Sequence, residues 1–202
     1  MSITNLELKT YLDGLLRVNE ISDYCPNGLQ VEGKGNIQKV VTGVTASQAL
    51  IDKAINVNAD AILVHHGYFW KGETQAITGM KKKRIAALLA NDINLYGYHL
   101  PLDVHPEYGN NRQLGDLLQI ENIRAATQIK PMGVVMLGEL AEPMSASTLQ
   151  EKLQRLLGRQ VLVETTEGCT LKSIAWCTGG GQGFIESAVE LGVDGFITGE
   201  VS

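Results

Sequence analysis

Ala61-Ile62-Leu63-Val64 and the run from Ile93 to Tyr98 are apolar nearly throughout. Between them Lys81 to Asn91 carries Ile85, Leu88 and Leu89 at helical spacing. A strand without polar alternation has to be covered on both faces, which is the environment of a parallel sheet flanked by helices. The same rhythm runs through the first part of the chain. Leu6, Leu8, Tyr11, Leu12 and Leu15 predict an amphipathic helix over residues 4–17. Val40 to Val44 reads as a buried strand, Ala46 to Val57 as a helix, and Asn110 to Leu118 as another helix. Ile21 to Gly35 is crowded with turn formers and reads as a loop. Strands alternating with helices of this length build βαβ units, so the fold class is α/β: two α/β domains with largely parallel or mixed sheets.

The texture changes after about residue 126, which places one α/β domain at 1–126 and a second α/β domain at 127–202. In the second, Gly133 to Leu137, Val161 to Val163, Ile174 to Cys177 and Phe196 to Thr198 read as strands. Ser147 and Gln150 suggest a capping box for a helix that buries Leu149, Leu153, Leu156 and Leu157 and ends at Gly158. Phe184 to Leu191 reads as the last helix. An internal repeat is also visible. With Val40 aligned to Ile174, Gln48 meets Gln182, Ile51 meets Ile185, Ala54 meets Ala188 and Asp60 meets Asp194, without a gap. His66 then falls opposite Glu200. Shared βαβ architecture alone, or duplication, accounts for this equally well. The sequence stops at Thr198-Gly199-Glu200-Val201-Ser202, just past a buried strand, so its C-terminal end reads as truncated.

Composition narrows the functional classes. Apolar residues make up 44% of the 202 and charged residues 19%, a globular balance that excludes a disordered or coiled-coil chain. The net charge of −5 counts against a general nucleic-acid coat, although a small anionic ligand is allowed. No run approaches the ~20 apolar residues of a membrane helix, and the N-terminus has no cationic region leading into an apolar one. Cys25, Cys169 and Cys177 form no C-x-x-C, which fits reduced thiols and a cytoplasmic location.

The residues able to do chemistry gather at strand ends, where ligands of parallel sheets bind. One buried strand runs into His65-His66-Gly67, and the next into His99-Leu100-Pro101-Leu102-Asp103-Val104-His105. Adjacent strand residues point to opposite faces, so two neighbouring histidines share a site only if the backbone turns there, and Gly67 permits that. Imidazoles with a carboxylate suit Zn, Mn, Fe, Co or Ni better than Mg or Ca. Asp103 is the expected carboxylate ligand. His99 and His105 fit roles behind the metal or facing substrate. Thr178 to Gly183 is either a phosphate-holding loop or a tight turn; it is neither G-x-G-x-x-G nor a P-loop. Lys81-Lys82-Lys83-Arg84 reads as a solvated face or as steering for an anionic substrate. Tyr68-Phe69-Trp70 reads as a wall of the pocket, an oligomer contact or a stacking surface for a planar base.

Taken in order, Ile21 to Gly33, Val64 to Trp70, Tyr98 to Asp103, Trp176 to Gly183 and Ile197 to Glu200 resemble the NIF-three-like family, in particular its bacterial YbgI-type members named GTP cyclohydrolase 1 type 2 homologues. The resemblance spans nearly the whole chain. It implies a two-domain α/β subunit with two divalent metal ions, assembled into a toroidal homohexamer. It assigns the metal ligands to His65, His66 and Asp103, and the family name implies that water opens the imidazole ring of GTP with release of formate. The family's further H-x-x-x-E ligand pair has no counterpart before Ser202. His99 and Glu200 are the candidates for proton-transfer or substrate-contacting roles. The alternative is a non-enzymatic metal-binding ring that binds protein or nucleic-acid partners.

Overall fold

The computed structural model describes residues 2–201 and divides the chain into two compact units, Met1–Leu102 and Asp103–Ser202. The change in sequence texture near residue 126 lies well inside the second unit. The reason is β-pairing: Ile120–Ala125, polar enough to pass for a connection, is a strand of the second sheet.

The first unit begins with β1 (Ile3–Thr4) and α1 (Asn5–Leu15). Thr4 caps α1, and Glu7 reciprocates by accepting the Thr4 backbone N–H. Then come β2 (Gly28–Val31), β3 (Asn36–Ile37), β4 (Val40–Thr45), α2 (Gln48–Asn56), β5 (Ala61–His66), α3 (Gly79–Ala90), β6 (Asn94–Gly97) and the turn α4 (Leu100–Asp103). The sheet order is β2-β6-β5-β4, with β4, β5 and β6 parallel and β2 antiparallel on the β6 edge. The apolar strands are sandwiched as their pattern requires. Ile62 and Val64 pack with Ile51 and Ala54 of α2 and Ile85 and Leu88 of α3. Ala61 and Leu63, on the opposite face, pack with Leu8 and Leu12 of α1 and with Tyr96 and Tyr98.

β2 corrects the reading of residues 21–35 as loop throughout. Gly28, at φ +109°, turns the chain into a strand that pairs with β6, far away in sequence.

The second unit contains α5 (Asn110–Leu117), β7 (Ile120–Ala125), β8 (Met136–Ser145), α6 (Ala146–Leu157), β9 (Thr170–Cys177), α7 (Ile185–Glu190) and β10 (Gly195–Thr198). Its sheet order is β10-β9-β8-β7, and only the β10/β9 pair is parallel. Ile174 and Trp176 pack with Leu149 and Leu153 of α6, while Ala175 and Cys177 pack with Ala188 of α7. The cap of α6 is Ser145, which accepts the Thr148 N–H, and not Ser147. Val161 to Val163 is not a strand. The backbone groups of Val161 are met by helix side chains instead: Gln150 Nε2 donates to the Val161 carbonyl and the Val161 N–H donates to Gln154 Oε1.

The internal repeat has a structural signature. Val40 pairs with Ala61 across β4/β5, and their repeat counterparts Ile174 and Gly195 pair across β9/β10. Asp60 Oδ2 accepts the N–H groups of Gln38 (2.6 Å) and Lys39 (2.8 Å). Asp194 Oδ2 accepts those of Lys172 (3.0 Å) and Ser173 (2.8 Å), the aligned positions. Each aspartate thus staples the entry of one parallel strand to the entry of its neighbour. The match of register and staple together favours duplication over architecture alone.

Asp60 is buried, so Asp60→Ala removes the shared acceptor of two N–H groups and is expected to lower the unfolding free energy by about 1–3 kcal/mol in urea titrations. Burial pushes the Asp60 carboxyl up, but Lys34 and the two N–H groups outweigh it and hold it below its ordinary value. Asp194 is held low by Ser173 and Lys172. A depressed carboxyl stabilises the fold above the unfolded value of about 3.9 and loses that contribution as pH falls through the lower folded value. Urea midpoints are therefore expected to drop below about pH 4, and less steeply in Asp60→Asn.

Candidate metal centre

β5 and β6 are hydrogen-bonded neighbours, with Val64 opposite Gly97, so His65 and Tyr98-His99 follow side by side where their shared ladder ends. The strand continues through His66, which pairs with Thr45. The ring centroids of His65 and His66 are nevertheless 4.4 Å apart, and those of His65 and His99 5.0 Å. Ligand nitrogens of His65, His66 and His99 lie within 4.8 Å of one another. His99 therefore lies in the cluster itself, where the sequence suggested a place behind the metal or facing substrate.

Two of these rings are oriented by fixed acceptors. His65 Nδ1 lies 3.0 Å from the Tyr98 carbonyl, which can only accept, so Nδ1 carries the proton and Nε2 the lone pair of the neutral ring. His99 Nδ1 lies 2.8 Å from Asp23 Oδ1. His66 Nδ1 is 3.4 Å from Thr45 Oγ1. Three imidazoles, two of them backed by a carbonyl and a carboxylate, form a donor set suited to a divalent transition metal.

A second group, Asp23, Cys25 and His99, has the same spacing. Its chemistry differs. Asp23 accepts the Tyr24 N–H (2.6 Å), Asn27 Nδ2 (2.9 Å) and the Leu100 N–H (2.8 Å) in addition to His99. Burial and the nearby Asp23 charge push the Cys25 thiol up to about 12, which keeps it protonated. This group is a hydrogen-bonded anchor.

The wall of the cluster comes from Gly67 to Trp70. Phe69 adopts φ +67°, a strained backbone for a bulky residue. It precedes Trp70, whose ring stands edge-on to His99 at 4.8 Å and 5.9 Å from His66. Tyr68 points away into the core, its hydroxyl donating to the Ala46 carbonyl. Gln30 spans the strand ends: its Oε1 accepts the Tyr68 N–H and its Nε2 donates to the Pro26 carbonyl, in the space where Gly67 and Gly97 lack side chains. Sequence reasoning missed Gln30; the two glycines at matching strand ends were its signal. Gly67→Val would displace Gln30 and is expected to weaken metal binding at least tenfold, read by calorimetric titration.

Asp103 opens the second unit. It is buried, and its Oδ1 accepts Asn110 Nδ2 at 2.7 Å. His105 Nδ1 accepts the N–H groups of Glu107 and Tyr108, so that nitrogen serves the local turn. Glu200 is exposed and lies beside Gly180 of the glycine-rich turn, where a side chain would collide with its carboxylate. That turn is closed by bonds from the Gly181 N–H to Gly179 and the Phe184 N–H to Gly181, and the six-residue α7 follows it. Lys81 bonds Glu73 and the Thr74 carbonyl and covers the Phe69 ring. Among the described residues no helix is long and apolar enough to cross a membrane.

Comparison with known proteins agrees with this architecture. A "GTP cyclohydrolase 1 type 2 homolog" of Haemophilus influenzae is 58% identical over 201 residues, covering 99% of this chain and 80% of the relative. The protein of the same name from Escherichia coli K12 is 55% identical over 199 residues, covering 98% and 78%. Among solved structures, the protein titled ybgI, of unknown function, superimposes with a TM-score of 0.93 at 54% identity, covering 99% of this chain and 79% of that one. A crystal structure of a Thermus thermophilus protein gives 0.86 at 34% identity, covering 99% and 79%. The family described as Duf34/NIF3 (NGG1p interacting factor 3) matches residues 3–202, and the chain belongs to it.

Proposed function

We propose that the chain is a dinuclear metal-dependent hydrolase that acts on a nucleotide or a related heterocycle. The observation that carries this reading is the convergence of three imidazoles at the ends of β5 and β6. In it, His65 and His66 each hold one divalent ion, and Asp103, at the close of the turn that follows His99, supplies the carboxylate ligand. Divalent Zn, Mn, Fe, Co or Ni bound there would bring the pKa of a water ligand near neutrality and polarise the bond attacked.

The protein's own residues have distinct tasks. Tyr98 and Asp23 fix the rings of His65 and His99 before any ligand arrives. Trp70 gives the site an aromatic side against which a planar heterocycle can rest. Glu200 is assigned to proton transfer or substrate contact, and His99 to the same work or to a third nitrogen ligand beside His65 and His66. The name carried by the Haemophilus and Escherichia relatives supports a nucleotide substrate. A homohexameric ring in the cytoplasm completes the reading.

The test is elemental analysis of the purified protein followed by turnover on GTP and other nucleotides after loading with each metal. Two ions per chain and a product lost in Asp103→Ala are expected. Absence of bound metal would overturn the reading, and metal without turnover on any nucleotide would favour the non-enzymatic ring.

A further inference from the structure

The segment Asp23 to Asn27 is irregular, yet it is tied tightly to the start of α4. Asp23 has a side chain only 2% exposed and accepts four hydrogen bonds, two of them from the His99 ring and the Leu100 N–H. Asn27 closes the arrangement: its Nδ2 donates to Asp23 while its Oδ1 accepts the His99 N–H at 2.7 Å. Backbone and ring of His99 are thus both held by one loop. An imidazole has two nitrogens. With Nδ1 donating to a carboxylate, the neutral ring has its lone pair at Nε2. The same bond excludes His99 from ligating a metal through Nδ1, so of the two groups that share this histidine only the one with His65 and His66 can use its lone pair.

We infer that Asp23 is a positioning residue: it locks His99 as the Nδ1–H tautomer and so presents an unprotonated Nε2 as a third acceptor beside His65 and His66. Asn27 assists by fixing the backbone from which the ring projects. The four donors on Asp23 outweigh its burial and hold the carboxyl below its ordinary value, so it stays an anion and a pure acceptor. The loop therefore acts on the centre without touching what is bound there. The inference rests on the proposed metal centre for its purpose, but the tautomer itself is a property of the metal-free protein.

Two measurements test it. In metal-free wild-type protein labelled with ¹⁵N-histidine, long-range proton–nitrogen spectra should show His99 protonated at Nδ1 and bare at Nε2; protonation at Nε2 would overturn the inference. Cobalt(II) titration, followed by its visible absorption, should show affinity falling about 10–100-fold in Asp23→Asn. Asp23→Glu, which keeps an acceptor, should recover part of it. A folded Asp23→Asn protein with wild-type cobalt affinity and spectrum would assign Asp23 to stability alone and overturn the inference. If wild type takes up no cobalt, the metal reading fails by itself, and the tautomer measurement still decides the role of Asp23.

Discussion

Alanine at both His65 and His66 is expected to strip the purified protein of divalent metal and leave the first unit folded. The two residues supply two of the three clustered imidazoles, and the one imidazole and the Asp103 carboxylate that remain are too few donors to hold first-row ions against water. Their contribution to the fold is small. Both are only partly buried, and the bond from His65 Nδ1 to the Tyr98 carbonyl is worth about 1 kcal/mol. The strand beneath them is held by its ladders to β4 and β6, which alanine does not disturb. Elemental analysis should return background metal, with a far-ultraviolet circular dichroism spectrum like that of wild type. Each single substitution should remove about half the metal if each ring serves a separate ion. Unchanged metal content in the double variant would dismiss the centre altogether.

Trp176→Ala should have the largest effect on stability. Trp176 is fully buried at the centre of the second sheet, packed with Leu149 and Leu153 of α6 and with Leu140 and Ile174. Gly115 lies so close to it that a side chain there would meet the indole at 2.7 Å, so on that side the indole packs directly against the backbone of α5. Truncating a buried aromatic of this size costs about 3–5 kcal/mol. The indole N–H also donates to the Asn111 carbonyl at 2.7 Å, and that tie between β9 and α5 is lost with it. Asn111 in turn uses its side chain to hold the Gly133 and Val134 carbonyls and the Thr178 N–H and hydroxyl. The damage is therefore expected to spread from α5 to the glycine-rich turn. Against the roughly 5–15 kcal/mol that holds an ordinary domain together, this removes much of the margin. Hydrogen exchange should show protection lost across residues 110–118 and 174–181, while the first unit keeps its own. Trp176→Phe, which keeps most of the volume, should cost markedly less.

Much of the first unit was legible because its strands announce themselves locally. Ala61 to Val64 and Ile93 to Tyr98 are apolar runs next to helical spacing, and the histidines follow them directly. What escaped depended on distant partners. Leu29-Gln30-Val31 is a strand only because β6 lies beside it, and it is flanked by the turn residues that disguised it. Val161 to Val163 shows the reverse error: its composition suits a strand, but the backbone groups of Val161 are met by Gln150 and Gln154. β7 was hidden by Glu121 and Arg124 and by a bulge between them. In the site, the paired histidines and the H-L-P-L-D segment stood out as chemistry. The tie between His99 and Asp23 did not, because 76 positions separate them and nothing in periodicity links a loop aspartate to a distant imidazole.

The carbonyl behind His65 and the carboxylate behind His99 have a consequence for how metal and folding are coupled. In a small zinc module the ligands are gathered only when the ion arrives, so chelation and unfolding are one event. Here the rotational freedom of two rings is already surrendered to Tyr98 and Asp23 when the chain folds. On the proposed reading, a metal ion would then be taken up at a seat whose rings are already set. A chelator should empty the seat and leave the β5 and β6 amides as protected as before. Which ion occupies it would be governed by supply and by preference for nitrogen donors, with folding left out of the choice.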